Sequence, residues 1–147
     1  MISDVQIGNL SGQPELKYFR ITYEDLNATA GTSKTLTLFT LQKGGLIIWC
    51  KAKTSTAFGG GAISDMSCVI GVSGATNCIM TDLDIDAAVA DTTCSSGVPA
   101  TPASLGQSAK DIICTIGSTG ANLTALTAGV LEVWILVYNT PTPGVMV

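Results

Sequence analysis

Alternation of apolar and polar residues with a period of two is the feature of this sequence that most constrains its fold. Segments rich in Thr, Ile, Val and Leu carry the alternation, and clusters of Gly, Ser, Asn and Pro separate them. Such segments are typical of half-buried β-strands, because successive strand side chains point to opposite faces. The pattern predicts seven strands and a weaker eighth at 87–90: Lys17–Tyr23, Thr35–Leu41, Leu46–Lys53, Met66–Val72, Ile79–Ile85, Asp111–Ile116 and Val130–Asn139.

Seven or eight short strands at this spacing predict an all-β fold, an antiparallel two-sheet sandwich of jelly-roll or immunoglobulin type with little helix. Leu123–Gly129 offers at most a helical turn or two that ends on glycine. Residues 1–14 lack clear alternation and are predicted to form an N-terminal arm, so a single sandwich domain is expected over 15–147. The segment Asp91–Gln107 is predicted to be one long surface loop, a kind that commonly serves binding or assembly.

The third and last strands carry the clearest predictions about pairing and burial. The connection Gln42–Gly45 predicts a hairpin between the second and third strands, because Gly reaches positive φ without steric cost. In the third strand one stripe is expected to face the core: Leu46, Ile48, Cys50 and Ala52. The last strand is apolar on both faces, which indicates that both faces are covered. We therefore expect a neighbouring subunit to cover the face that carries Trp134.

The surface is expected to be poor in charge. Charged residues make up 12% of the 147 residues, against about 25% in a typical soluble protein, while hydrophobic residues make up 46%. A surface with few charges costs little to desolvate, and charge depletion is expected at interface cores. The candidate interface residues are Trp49, Phe58 and Trp134, because exposed aromatic side chains bury much area at little entropic cost. For Trp49 and Phe58 the alternative is ordinary core packing.

The sequence contains no histidine, the side chain most used as a general base near neutral pH and the commonest metal ligand. The Gly59–Gly61 run is not followed by Lys-Ser or Lys-Thr, and no Gly-x-Ser-x-Gly elbow is present. We therefore predict a protein that is not an enzyme, with no catalytic residue, cofactor, metal ion or small-molecule substrate. A hydrolase built on two carboxylates stays open as a distant alternative, because a sequence does not show their separation in space.

Asp82, Asp84 and Asp86 resemble the start of a calcium-binding loop. That loop needs Gly at its sixth position and Glu at its twelfth, where this chain has an alanine and a threonine. The preferred interpretation is a strand edge on which the three carboxylates share the solvent face while the apolar residues between them point inward. Calcium binding stays open as the alternative.

The five cysteines form an odd set without a Cys-x-x-Cys pair, which argues against a closed disulfide framework or a four-thiolate zinc site. Three of them lie in β-branched apolar runs and are expected to be small buried hydrophobic residues: Cys50, Cys68 and Cys114. Cys78 and Cys94 lie near predicted loops and are the pair to test for a bridge. Five free thiols in a titration of the denatured protein would exclude that bridge.

Charge is unevenly distributed along the chain. Residues 1–60 hold six basic and four acidic groups, and residues 61–147 hold one basic and seven acidic groups. Such asymmetry can orient subunits, although solvated faces give the same distribution. The net charge of −4 argues against nucleic-acid binding. Neither export nor membrane insertion is expected, since the N-terminus lacks a basic, apolar leader and the apolar stretch Leu126–Tyr138 is shorter than the roughly 20 residues of a spanning helix.

Several segments between residues 33 and 140 carry a family resemblance. They are Thr35–Leu41, which leads through Lys43–Gly45 into Leu46–Lys53, then Thr54–Gly60, and a closing strand Leu131–Asn139. Together they resemble small structural proteins of tailed bacteriophages, the cement or decoration proteins with a jelly-roll-like fold. The resemblance implies a virion protein, made in the host cytoplasm, that stabilises the capsid from its surface by binding the major capsid protein, often as a trimer. The alternative is a carbohydrate- or receptor-binding module of a phage fibre or tail.

Overall fold

The computed structural model describes residues 14–87, 91–93 and 108–139, and of 91–93 and 139 only the backbone. This part of the chain forms eight β-strands and two three-residue 3-10 helices, at Tyr23–Asp25 and Leu123–Ala125. Neither helix is long enough to cross a membrane. The strands are β1 (Pro14–Thr22), β2 (Ser33–Leu41), β3 (Gly45–Gly59), β4 (Asp65–Val72), β5 (Ala75–Asp84), β6 (Asp91–Thr93), β7 (Lys110–Thr119) and β8 (Ala128–Asn139).

All seven strands predicted from the alternation are present, and the helix content is small as expected. The weak strand predicted at 87–90 lies largely outside the described residues. The long loop predicted from Asp91 begins instead with β6, which pairs with residues 51–53 of β3; residues 94–107 lie outside the described residues. Residues 1–13 of the predicted arm also lie outside them, and Pro14 belongs to β1. A single domain over 15–147 stays a prediction.

The strands pair in a nested order. Sheet I has the order β1-β8-β3-β6, and sheet II has the order β2-β7-β4-β5. The first strand therefore pairs with the last, the second with the seventh, the third with the sixth and the fourth with the fifth, all antiparallel. This is the connectivity of an eight-stranded jelly roll. The predicted two-sheet sandwich of jelly-roll type is confirmed, and the immunoglobulin order does not fit.

The predicted hairpin between β2 and β3 is wrong. The connection does form a tight turn, in which Gly44 has φ 82° and the Gly45 N–H donates a 2.9 Å hydrogen bond to the Gln42 carbonyl. However, β2 and β3 belong to different sheets, so the turn carries the chain across the sandwich. A Cβ on Gly45 would lie 2.5 Å from Cδ1 of the buried Leu41, so the crossing chain packs directly on the core. The local pattern identifies the turn but not the partner of each strand.

The burial predicted for the first half of the β3 stripe is also wrong. Leu46 and Ile48 are 51% and 37% exposed, whereas Ile47 is buried. The register against β8 shifts directly after Ile47, where a β-bulge adds one residue to β3. Beyond the bulge, Cys50 and Ala52 are buried as predicted. One extra residue exchanges the two faces of a strand, so the predicted stripe is correct only for its second half.

The core lies between the inward faces of the two sheets. Strand β8 shows the two faces clearly, because its inward stripe is buried and its outward stripe is half-buried. The inward stripe consists of Leu131, Val133, Ile135 and Val137, each at most 1% exposed. Burying one such side chain stabilises the fold by about 1.5–3 kcal/mol. The prediction for this strand is therefore confirmed on its inward side.

Three cysteines belong to this core. Cys50, Cys68 and Cys114 are each 0% exposed, which confirms their prediction as buried hydrophobic residues. Cys78 on β5 is half-buried and carries a free thiol, and burial raises its pKa. Cys94 lies outside the described residues. The free thiol of Cys78 gives no support to a bridge between these two residues.

We expect Gly129→Ala to destabilise the fold strongly. Gly129 has φ 144°, and a Cβ there would lie 2.2 Å from Cδ1 of the Phe58 ring in the core. Gly74→Ala is the matched control, since φ is also positive (86°) but nothing lies within 4 Å of the added Cβ. Urea unfolding should show a loss of about 1 kcal/mol for Gly74→Ala and about 3 kcal/mol or more for Gly129→Ala. Equal losses would show that the Phe58 ring moves aside freely.

Candidate interface

The outer face of sheet I carries all the large hydrophobic side chains that are exposed in the described part of the chain. On β1, Leu16 and Tyr18 are 58% and 48% exposed, and the exposed pair on β3 is Leu46 and Ile48. Strand β8 runs between β1 and β3, and its outward side chains are half-buried. We call the following set the apolar patch: Leu16, Tyr18, Leu46, Ile48, Trp49, Trp134, Leu136 and Tyr138. An exposed patch with a polar border is typical of a protein–protein interaction site.

The strand register makes the apolar patch continuous across three strands. The directly opposite pairs are Leu16 with Leu136, Tyr18 with Trp134, Leu46 with Tyr138, and Trp49 with Leu136. The rings of Tyr18 and Trp134 are in contact, with centroids 5.3 Å apart and planes tilted by 43°. Tilted aromatic pairs of this kind add stabilisation beyond their buried area. The patch is therefore a preformed surface and not a set of separate side chains.

Two of the three predicted interface residues lie in the apolar patch. Trp49 and Trp134 are half-buried on the outer faces of neighbouring strands, and Trp134 lies opposite Lys51, two residues from Trp49. Phe58 is only 2% exposed and packs beside Gly129 in the core, which corresponds to the alternative interpretation of this residue. Phe58 is therefore not available for an interface in the described fold.

Four members of the apolar patch were not predicted from the sequence. Leu46 and Ile48 were assigned to the core because the bulge in β3 is not visible in the alternation. Leu16 and Tyr18 lie on β1, whose alternation is clear but whose outward face was not assigned. Ile21 lies on the opposite face of β1 and is buried, so Leu16 and Tyr18 lie on the outer face.

Glu132 lies at the polar end of the same face. Its carboxylate accepts a hydrogen bond from Ser55 Oγ and one of 2.7 Å from Tyr18 Oη. These two hydrogen bonds lower the pKa of Glu132, and two nearby cations add to the effect. The cations, Arg20 and Lys53, lie directly opposite Glu132 on β1 and β3. The bond to the carboxylate raises the pKa of Tyr18 and fixes the phenol at the border of the apolar patch.

Asp82 and Asp84 on β5 agree with the strand-edge interpretation, whereas Asp86 lies after the strand and is half-buried. Asp82 and Asp84 are exposed, and the apolar residues that follow each of them are buried. The carboxylates that approach within 4.8 Å of one another in the described residues are those of Asp84, Asp86 and Asp65, so Asp82 is not part of the cluster. Asp65 comes from β4 and was not predicted, because the pairing of β4 with β5 brings it there.

The carboxylates of this cluster bind the backbone. Asp84 accepts hydrogen bonds from the N–H groups of Asp86 (3.2 Å) and Ala87 (3.1 Å). Asp86 accepts one of 3.2 Å from the Met66 N–H. A hydrogen bond between the two carboxyl groups lowers the pKa of Asp84 and raises that of Asp86. These contacts fasten the turn after β5 to β4, and they are a structural use of acidic side chains.

Two open grooves lie at the edge of the sandwich. The larger, of about 510 Å³, runs between β1 and β2 and contains one carboxylate, that of Asp25. The smaller, of about 330 Å³, lies beside the start of β8 and contains only that of Glu24. A glycosidase site needs two carboxylates that flank one bond. Neither groove therefore supports the hydrolase alternative.

Asp86→Asn is expected to raise the melting temperature at neutral pH and to have no effect near pH 3. The amide donates to Asp84 and still accepts from Met66, so it reproduces protonated Asp86. Folding raises the pKa of Asp86, so protonated Asp86 stabilises the folded state at low pH. This stabilisation is lost as pH rises through the raised pKa. Asp84→Asn is the matched control and should lower the melting temperature at neutral pH.

Circular dichroism melting of both variants checks this prediction, and a lower melting temperature for Asp86→Asn at neutral pH would contradict it. The wild-type melt is repeated with millimolar calcium. We expect no change, since the carboxylates are already hydrogen-bonded to the backbone and to each other. A large rise in melting temperature would support the calcium alternative instead.

Tyr18→Phe is expected to lower the melting temperature more at neutral pH than in acid. The folded pKa of Glu132 is lowered, so the stability from its hydrogen bonds is present above its ordinary pKa and is lost as pH falls through the lowered value. The difference from wild type should therefore shrink below pH about 4. Tyr138→Phe removes a phenol from the same face as a control. A pH-independent difference would show that the carboxylate plays no part.

No family model matches the chain, and comparison with curated proteins finds no similar sequence. A chain of the cyanophage Pam1 capsid asymmetric unit is 11% identical, with 87% of this chain and 86% of that chain covered and a TM-score of 0.59. A chain of the acidic stable capsid of Helicobacter pylori bacteriophage KHP30 is 18% identical, with 84% and 86% covered and a TM-score of 0.39. At 11% identity, the similarity to the Pam1 chain concerns the fold alone. The fold described here is thus similar to that of a chain in the Pam1 capsid structure.

Proposed function

We propose that this chain is a non-enzymatic structural protein of a bacteriophage particle, and that it is a cement or decoration protein of the capsid. The observation that carries the proposal is the apolar patch on the outer face of sheet I. A side chain such as Leu16, 58% exposed, gains stability when another protein surface covers it. The jelly-roll order supports the same role, because viral capsid proteins use this fold. So does the fold shared with a chain of the Pam1 capsid structure.

In this proposal the chain stabilises a shell by covering neighbouring subunits. The patch lies on three paired strands, so its side chains are largely ordered before association and lose little entropy on binding. Apolar burial supplies the affinity, at about 25 cal/mol for each Å² removed from water. The polar border around Glu132, with Arg20 and Lys53 opposite it, fixes the orientation of the partner through charge complementarity. The protein acts by contact, without a chemical step.

The proposed partners are the major capsid protein and further copies of this chain, arranged as a trimer on the capsid surface. A trimer uses one surface of each copy against a different surface of the next, and three such contacts close a ring. Trp49 and Trp134 are the proposed anchors of the interface, because large aromatic side chains dominate interface energetics. Nucleic acid, membranes and small-molecule substrates have no part in this function.

One observation favours the alternative, a carbohydrate- or receptor-binding module of a fibre or tail. The groove between β1 and β2 is lined by aromatic and charged side chains, among them Tyr18, Arg20, Asp25 and Lys34. Such a combination of ring faces and polar groups suits a sugar or a short polar ligand. Binding in a glycan array, with no affinity for capsids, would favour this alternative over the cement protein.

We expect the purified chain to associate through the apolar patch. Light scattering at tens of micromolar should give three times the 15.0 kDa mass of one chain. The chain should also bind capsids of its own phage that lack it, and electron microscopy should locate its density on their surface. The double variant Leu46→Lys, Ile48→Lys should reduce both associations by about 100-fold or more. Its circular dichroism melt should be unchanged, since both side chains are exposed.

Thr35→Lys with Thr37→Lys is the matched control. These residues have the same spacing and are exposed on β2 of sheet II, so the variant adds the same charge to the opposite side of the sandwich. It should associate like wild type. A wild-type monomer without affinity for capsids would contradict the proposal, and equal effects of the two variants would place the interface elsewhere.

A further inference from the structure

We propose that Cys68 and Cys114 form a latent redox pair that closes a disulfide bond across sheet II. Cys68 lies on β4 and Cys114 on the adjacent β7. Their sulfur atoms are 3.3 Å apart, and both side chains are 0% exposed. The pair goes beyond the proposed function, which uses the outer face of the other sheet.

The strand register explains why the two sulfurs meet. Cys68 lies opposite Ile116, and Cys114 lies opposite Ile70. The cysteines are therefore diagonal neighbours, offset by two residues, and both point to the inward face. A disulfide has an S–S distance of about 2.05 Å, so the sulfurs have to approach by about 1.2 Å.

Burial keeps the pair in the thiol form under reducing conditions. The hydrogen bond with Cys114 and desolvation raise the pKa of Cys68 well above its ordinary value. Only the thiolate attacks a disulfide, so exchange is slow while the sheet is closed and follows local opening of β4 and β7. A chain made in a reducing compartment keeps both thiols, and the bond forms after transfer to oxidising surroundings.

The oxidant in this reaction is a small disulfide such as oxidised glutathione. One cysteine loses its proton and attacks the oxidant, which forms a mixed disulfide and releases one reduced glutathione. The second cysteine loses its proton and attacks the protein sulfur of the mixed disulfide. This step forms the Cys68–Cys114 bond and releases the second reduced glutathione. The protein thus loses two electrons and two protons, and one oxidised glutathione becomes two reduced molecules.

The bond would join residues that are 46 positions apart in the sequence. The closed loop includes β5, β6 and the start of β7, so the cross-link restricts a large part of the unfolded chain. It also fixes β4 to β7, the two central strands of sheet II. The oxidised protein is expected to melt roughly 10 °C higher than the reduced protein.

The test uses the full chain with the other cysteines replaced: Cys50→Ala, Cys78→Ser and Cys94→Ser. The variant is incubated with oxidised glutathione in urea just below its unfolding midpoint, which permits local opening. We expect a mass loss of about 2 Da, a peptide that links residues 68 and 114, and a higher melting temperature that dithiothreitol reverses. Wild type is mapped in parallel, so the test does not depend on folding of the variant.

A fourth substitution, Cys68→Ala, supplies the control. This protein should form only a glutathione adduct at Cys114 and should gain no thermal stability. Absence of the linked peptide from both wild type and the triple variant would overturn the proposal. A linked peptide that lowers the melting temperature would also overturn it, because the bond would then strain the sheet.

Discussion

The pairing of the last strand between the first and the third is the interaction on which the rest of this structure depends. Strand β8 places one stripe, from Leu131 to Val137, in the core and the other on the outer face of sheet I. Its register with β1 brings Tyr18 beside Trp134, and its register with β3 brings Leu46 beside Tyr138. The core and the apolar patch are therefore two faces of one strand arrangement. A change in this register would alter stability and surface together.

The sequence predicts the elements of this fold well and their partners poorly, for a physical reason. Alternation is a local property, so it locates the seven strands without reference to the rest of the chain. Pairing depends on distant residues: Leu36 of β2 lies opposite Cys114, while the short turn at Gln42 favoured a hairpin with β3. The bulge next to Ile48 has no signature in the alternation, so two patch residues were assigned to the core. Trp49 and Trp134 were chosen as large aromatic residues, and the same criterion chose Phe58, which lies in the core. Residue size does not show which face of a strand is outward.

Several acidic side chains of the described residues make structural contacts. Glu132 accepts hydrogen bonds from Tyr18 and Ser55, and Asp84 and Asp86 hold backbone N–H groups at the end of β5. Each carboxylate is thus used to fix a part of the sheet. A catalytic pair needs two carboxyl groups that face a substrate in a cleft, and each of the two grooves contains one.

The two outer faces of the sandwich differ in polarity. Sheet II presents threonines to solvent on β2, and Thr35 hydrogen-bonds Thr115 across the strands at 3.1 Å. All the exposed large hydrophobic side chains of the described residues lie on sheet I. A chain that functioned alone in water would gain nothing from this difference, since either face could carry the same polar residues. In the proposed capsid protein the difference has a use, because a partner, either a capsid subunit or another copy of the chain, covers sheet I, and the polar face of sheet II suits contact with water.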